Sequence, residues 1–155
     1  MMNPRTIAEL VHREVPLLKQ DQPVGEAVAV VLEAGLPALP VVDSEQRLVG
    51  IFGEREFITA LFPGYVANLK YAAFVPKSID AVIEKRHGCR HEPVSRHMNT
   101  EHIEVPADFS DIQLAEVFLH HRVLIVPVTH KGRVSGIVTR SEFFAALAER
   151  FVANA

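Results

Sequence analysis

The chain has one cysteine, Cys89, in 155 residues. No internal disulfide can form, and a reducing cytoplasm is the expected location. An excess of positive charge is also missing: 16 Lys and Arg stand against 19 Asp and Glu, for a formal charge of −3. Non-specific nucleic-acid binding needs a basic stripe, so no nucleic-acid partner is expected. Nowhere do about eighteen apolar residues run together, so no membrane span is expected. The opening Met1-Met2-Asn3-Pro4-Arg5 lacks the apolar core of a signal peptide, which agrees with a cytoplasmic protein. There is no Walker lysine loop, no G-x-G-x-x-G after a strand, and no Ser-His-Asp or Cys-His set in a supporting context. The chain therefore reads as no enzyme, with no catalytic residues and no required cofactor.

What is present is a duplication. Leu39-Pro40-Val41-Val42-Asp43, Arg47-Leu48-Val49-Gly50-Ile51-Phe52-Gly53, Glu56-Phe57 and Ala60-Leu61 recur in the same order later. Their later counterparts are Val126-Pro127-Val128-Thr129, Arg133-Val134-Ser135-Gly136-Ile137-Val138-Thr139, Glu142-Phe143 and Ala146-Leu147. Pro40 and Pro127 lie 87 positions apart, Gly50 and Gly136 lie 86 apart, so the second copy has one residue fewer in its turn. A composition of 48% hydrophobic and 23% charged residues is that of a folded protein. Each copy alone is near the lower size limit for stability, so the two are expected to share a body.

Patterning fills in the elements. Thr6 is placed to cap a short helix through Val11, with Glu9 completing a capping box. Val15 to Lys19 reads as a strand. Val24, Ala27, Val28, Val31 and Leu32 give the rhythm of one buried helical face, stopped at Gly35. Ala38–Val42 and Leu48–Phe52 form a hairpin around Asp43-Ser44-Glu45-Gln46, and a helix from Glu54 to Leu61 breaks at Pro63-Gly64. In the second copy, Pro93–Met98 reads as a lead-in helix and Ile103–Val105 as a strand. A helix after Asp108 and Ser110 carries Leu114, Val117 and Phe118. Leu124–Val128 and Val134–Val138 flank a Lys131-Gly132 turn, and the last helix sets Phe144, Leu147, Ala148 and Phe151 on one face. The insert from Pro63 to Glu92 is too long for an ordinary connection. Ser78, Ile79, Val82 and Ile83 suggest a helix inside it, and Tyr65, Leu69, Tyr71 and Phe74 suggest packing on the body or on a second subunit.

The order strand–helix–strand–strand–helix, twice, with an apolar-Pro-Val strand and a Gly-Ile-Val-Thr-x-x-acid end, resembles the cystathionine-β-synthase (CBS) domain pair. The resemblance implies an α/β (α+β) fold: two pseudo-symmetric β-α-β-β-α repeats, 5–62 and 93–151, packed as one module with a partly helical insert at 63–92. It also implies a regulatory protein that binds an adenosine ligand such as AMP, ADP or ATP between its repeats. The homodimer, or a protein partner acted on in trans, would carry the signal.

Local chemistry fits that expectation. A threonine hydroxyl at Thr139, beside the free N–H groups of a helix start, suits phosphate, and Arg140 adds a charge-assisted contact. Glu142 can accept from ribose hydroxyls; the family usually has Asp there. The family pattern sets these against Val15, Pro16, Leu36, Pro37 and Ala38, an apolar wall for a purine. The opposite cleft would join Gly53 and Glu56 to Ile103, Val123, Leu124 and Ile125. Gly53 stands there for the hydroxyl residue, so the Thr139 cleft is expected to be the competent one and the other weaker. The same residues also have local explanations: Thr139 as a helix cap, and Glu56 and Glu142 as complements to helix dipoles. A ligand-free dimerisation or adaptor module is the alternative function, with contacts near Leu61-Phe62 and Leu147–Phe151. A metal-responsive protein is a third, through His87, Cys89, His91, His97 and His102, although their spacing matches no tight zinc pattern and no metal site is expected. His120-His121 is read as the end of a helix.

Overall fold

The structure is a computed structural model and describes residues 6–62 and 78–154. Pro63, Gly64, Tyr65, Leu69, Tyr71 and Phe74 lie outside the described residues.

Each repeat builds one three-stranded mixed sheet. In the first, β1 (Leu18–Lys19) runs parallel to β2 (Ala38–Val42), which pairs antiparallel with β3 (Leu48–Gly53). In the second, β4 (Val105–Pro106), β5 (Ile125–His130) and β6 (Arg133–Thr139) repeat that order. The hairpin register is equivalent as well, with Ala38 opposite Gly53 and Ile125 opposite Thr139. Asp43 fixes the first turn by accepting from the amides of Glu45 (2.8 Å) and Arg47 (3.0 Å).

The helices are α1 (Ile7–Val11), α2 (Val24–Ala34), α3 (Glu54–Leu61), α4 (Ile79–Lys85), α5 (Asp111–His120) and α6 (Arg140–Ala153). Their starts are the ones the sequence marks. Thr6, Ser78, Ser110 and Thr139 each accept from the amide three residues on, which satisfies one orphan donor per helix. In α2, Val24, Ala27 and Val31 are buried, whereas Leu32 faces out. In α6 it is Phe143 that is buried; the stripe of Phe144, Leu147 and Phe151 points outward.

Three expected elements are shorter than their patterns suggest. The strand at Val15–Lys19 reduces to β1, because the chain before it is committed elsewhere and Pro16 has no N–H to give a ladder. Likewise Ile103 precedes β4 rather than joining it. Pro93–Met98 holds only a 3-10 turn at Val94–Arg96, since Asn99 is drawn into extended pairing directly after it.

That commitment is the main architectural device. Each repeat's lead-in crosses to the other repeat's sheet. Arg13 and Ile137 exchange backbone hydrogen bonds of 3.0 and 2.9 Å, and Asn99 and Ile51 exchange bonds of 2.8 and 2.9 Å. The crossing chains lie directly over the glycines of β3 and β6. A Cβ at Gly136 would overlap the Arg13 carbonyl oxygen, and one at Gly50 would stand 2.8 Å from Met98 Sδ. A side chain at either position would push the crossing strand away. The cores follow the same exchange. Ile7, Ala8 and Val11 join the second repeat's core, while Val94, Ile125 and Ile137 join the first repeat's. Asp111 secures the N-terminal arm by accepting from the amides of Ile7 (3.1 Å) and Ala8 (2.6 Å). The hairpin turns also touch, with Leu48 donating to Gly132 at 3.1 Å and Val134 to Gln46 at 3.3 Å.

Candidate functional site

Among the described residues, two abutting recesses lie where the repeats meet. The larger, about 420 Å³, is lined from the first repeat by Pro37, Ala38 and the start of α3, and from the second by Arg122, Val123, Leu124 and Ile125. Asn99 and Ile51 also line it. The smaller, about 360 Å³, is lined by Pro37, Leu124, Arg140, Ser141 and Phe144. Both volumes fall in the range of about 300–1,000 Å³ of small-molecule sites.

The duplication relates the two recesses. Pro37 and Leu124 are equivalent positions, each three residues before its strand proline. Each accepts at 2.9 Å from the first amide of the facing helix, Pro37 from Glu54 and Leu124 from Arg140. Glu54, Arg55 and Ile58 in one recess correspond to Arg140, Ser141 and Phe144 in the other. Pro37 and Leu124 thus form a partition on the local pseudo-dyad.

In the larger recess the structure brings together Glu56, Val123, Leu124 and Ile125, four of the six residues assigned to that cleft from sequence. Ile103 is not in its wall, and Gly53 lines a hollow of about 550 Å³ between α2 and α3 instead. Gly53 is there for steric reasons: a Cβ would overlap the Pro37 carbonyl oxygen and Ala38. The first repeat therefore closes its strand end too tightly for a hydroxyl residue, and α3 begins without a side-chain cap. Glu56 is half-buried beside this junction. Burial pushes its carboxyl above the usual range, while the amides of Glu56 and Gly53 and the charge of Arg55 pull it back. A carboxyl that has lost part of its water needs hydrogen-bond donors, and a vicinal diol supplies them.

Glu142, at the equivalent place in the second repeat, is differently engaged. Its Oε1 accepts from the Thr139 hydroxyl at 2.9 Å and pairs with Arg13 Nη1 at 3.1 Å. Thr139 in turn is buried, and its Oγ1 accepts from the Glu142 amide at 3.1 Å. The threonine and the acid thus satisfy each other as a reciprocal cap. Of the residues assigned to this cleft, Pro37 and Arg140 share the smaller recess, and Thr139 and Glu142 stand outside its wall. Arg13 brings the lead-in that carries Val15 and Pro16 up to Glu142. Val15 packs against the first repeat's core and Pro16 is exposed. Leu36 lines the α2–α3 hollow, and Ala38 lines the larger recess.

Sequence reasoning missed Arg55, Arg122 and Asn99 in the larger recess. Arg122 had a faint signal: it stands in the second copy where the first has Gly35, five residues before the strand proline. The histidine cluster disperses. Cys89 is buried, His97 Nε2 lies 3.1 Å from Glu92, and among the described residues no three His, Cys, Asp or Glu side chains converge as metal ligands. Also among the described residues, no helix is long and apolar enough to cross a membrane.

A family profile for the CBS domain matches residues 7–63 and 94–149. The chain is similar to the solved structure of a CBS-domain-containing protein of unknown function from Kribbella flavida (20% identity, TM-score 0.71, covering 93% of this chain and 99% of that one). It is similar also to the CBS domain of a CBS-domain-containing membrane protein from Sphaerobacter thermophilus (22% identity, TM-score 0.69, covering 90% and 86%). A third similar structure is that of CBSX2 in complex with AMP (18% identity, TM-score 0.68, covering 94% and 98%). At these identities the likeness establishes the fold.

Proposed function

The chain belongs to the CBS-domain family, and we propose that it is a cytoplasmic, non-enzymatic regulatory module that binds an adenosine nucleotide between its repeats, with the Glu56 recess as the principal site. The observation that carries this reading is the meeting of three unlike surfaces in one recess of about 420 Å³. Pro37, Ala38 and Val123–Ile125 offer apolar walls for a purine. Glu56 offers a partly desolvated acceptor for the ribose hydroxyls. Arg55 and Arg122 offer guanidinium donors, one from each repeat, for phosphate. The AMP complex of CBSX2 supports the ligand class. The Thr139 cleft is secondary on this reading, since Thr139 and Glu142 would have to leave each other and Arg13 to serve a ligand.

Regulation requires that the ligand favour one arrangement of the protein over another. A nucleotide held by side chains of both repeats meets that condition, because its affinity depends on how the repeats sit together. A homodimer or a protein partner would read the change. Thermal melting against adenosine, AMP, ADP and ATP tests the reading. A ligand at one hundred times its Kd should add about 2.7 kcal/mol of apparent stability. No shift with any of the four would refute it.

A second reading is a dimerisation or adaptor module without ligand. It is favoured by the exposed apolar residues Ile112, Leu119, Phe144, Phe151 and Val152 on the outer faces of α5 and α6. It predicts a dimer by light scattering that ignores nucleotide and dissociates on Phe151→Glu.

A further inference from the structure

We infer that Glu92, outside the larger recess, is a positioning residue for it: its carboxylate joins two arms of the chain that each carry part of the recess wall. The nucleotide in this inference rests on the reading above, whereas the coupling stands on geometry alone.

Glu92 sits between two 3-10 turns, His87–His91 and Val94–Arg96, in the connection that leads from the first repeat to the second. Backbone bonds dock this connection on the first repeat. The Glu92 carbonyl accepts from the Val24 amide, the Gln22 carbonyl from Val94 and the Gln20 carbonyl from Ser95, each at 2.9 Å. Cys89 is buried beneath the first turn, and Val94 joins the first repeat's core. The carboxylate is thereby held in place, and its oxygens divide their partners. Oε1 lies 3.1 Å from His97 Nε2 and 3.8 Å from Arg86 Nη2, while Oε2 accepts from Arg96 Nη1 at 2.9 Å. The side chains of Glu92, His97 and Arg86 are only 23%, 15% and 30% exposed, so these contacts are screened less than open surface pairs.

One arm runs through Arg86. Its Nε donates at 3.1 Å to the Ala60 carbonyl, one of the last carbonyls of α3, which have no partner inside the helix. A guanidinium there also complements the helix dipole. The first turn of the same short helix brings Glu54, Arg55 and Glu56 to the recess, so holding its end sets the direction of its start. The other arm runs through His97. Two residues on, Asn99 exchanges both backbone hydrogen bonds with Ile51, and both residues line the recess. One carboxylate thus ties α3 to the crossing lead-in.

Glu92→Gln keeps the shape and removes the charge, and two measurements on the full chain test the inference. In hydrogen exchange, the variant should speed exchange at Phe62, whose amide closes α3, and at Ile51 and Asn99. Arg13 and Ile137, at the other crossing, should keep their wild-type rates. Arg86→Met should loosen Phe62 alone, and His97→Leu should loosen Ile51 and Asn99 alone. In titration calorimetry at neutral pH, Glu92→Gln should weaken AMP binding by about 3–30-fold. Ser110→Ala destabilises the fold through the cap of α5 and should leave AMP affinity within about twofold, which separates positioning from stability. Equal acceleration at both crossings, or unchanged AMP affinity in Glu92→Gln, would overturn the inference. A wild type that binds no AMP would refute the nucleotide reading instead, and the exchange pattern would then decide the coupling by itself.

Discussion

Glu56 and Glu142 occupy the same place in two copies of one sequence pattern, yet their surroundings make them different groups. Glu142 is held by a threonine hydroxyl and an arginine. Among the described residues, Glu56 meets only backbone amides and the nearby charge of Arg55. The difference starts one turn earlier, at Gly53 against Thr139. In the first repeat the strand end presses on Pro37 and Ala38 so closely that no side chain fits. In the second there is room for Thr139, which then caps its helix and immobilises the acid three residues on. The residue that looks most like a ligand-binding group in the sequence is thus the one most fully used by the fold. The apparently depleted copy keeps its acid available. A duplicated motif reports shared geometry; which copy remains free for chemistry depends on what each side chain already bonds.

The strongest way to break this comparison is at the crossing glycines. Gly136→Ala puts a methyl group against the Arg13 backbone, which cannot move without unpairing the lead-in. It should cost about 1–3 kcal/mol in chemical denaturation. Gly50→Ala meets a flexible methionine side chain first and should cost less. Equal losses would mean that the two crossings are equally rigid.

Exchanging the strand ends sharpens the contrast. Thr139→Ala removes a cap and should cost about 1 kcal/mol. Gly53→Thr should lose stability too, by about 1–3 kcal/mol, despite making the copies more alike. A neutral or stabilising Gly53→Thr would show that the first repeat can accept the second's geometry.

The connection between the repeats gives a pH-dependent test. Glu92 accepts from His97 and Arg96, and these partners, His97 foremost, hold its carboxyl below the ordinary value of 4.5. A depressed carboxyl stabilises the fold when ionised. That contribution is complete above 4.5 and fades as pH falls through the depressed folded value. Glu92→Gln should therefore lower the melting temperature near neutral pH, and the gap to wild type should narrow in acid. A gap that stays constant with pH would remove Glu92 from the account.

The smallest effect is expected at Arg13→Ala. Its pair with Glu142 is exposed on both sides, so stability should change by less than about 1 kcal/mol. The useful readout is nucleotide binding: freeing Glu142 should leave binding in the Glu56 recess within about twofold, under 0.5 kcal/mol. A large gain would restore Thr139 and Glu142 to the principal role.

Much of this molecule could be read from its residues. The hairpins follow from apolar runs around polar turns, and the helix starts from Thr6, Ser78, Ser110 and Thr139. The two-repeat architecture follows from the duplication itself. The crossed lead-ins were not read, although Gly50 and Gly136 signalled them: a glycine inside β3 and inside β6 marks a close backbone approach. The outward stripe of α6 and the buried Phe143 share one helical period, so periodicity alone could not say which faced the core. Thr139 and Glu142 share the spacing of Thr6 and Glu9, but the sequence could not foretell that Arg13 also holds Glu142, because Arg13 arrives on the crossing lead-in. Arg55 and Arg122 were missed because they meet only after the repeats dock.

The central claim is that adenine sits in the Glu56 recess, against the wall from the second repeat. Nuclear Overhauser contacts between AMP and methyl-labelled protein measure this directly. The account predicts contacts from the adenine protons to the methyl groups of Val123, Leu124 and Ile125, lost in Glu56→Ala as binding weakens. Contacts confined to Val15, or none at saturating AMP, would contradict it.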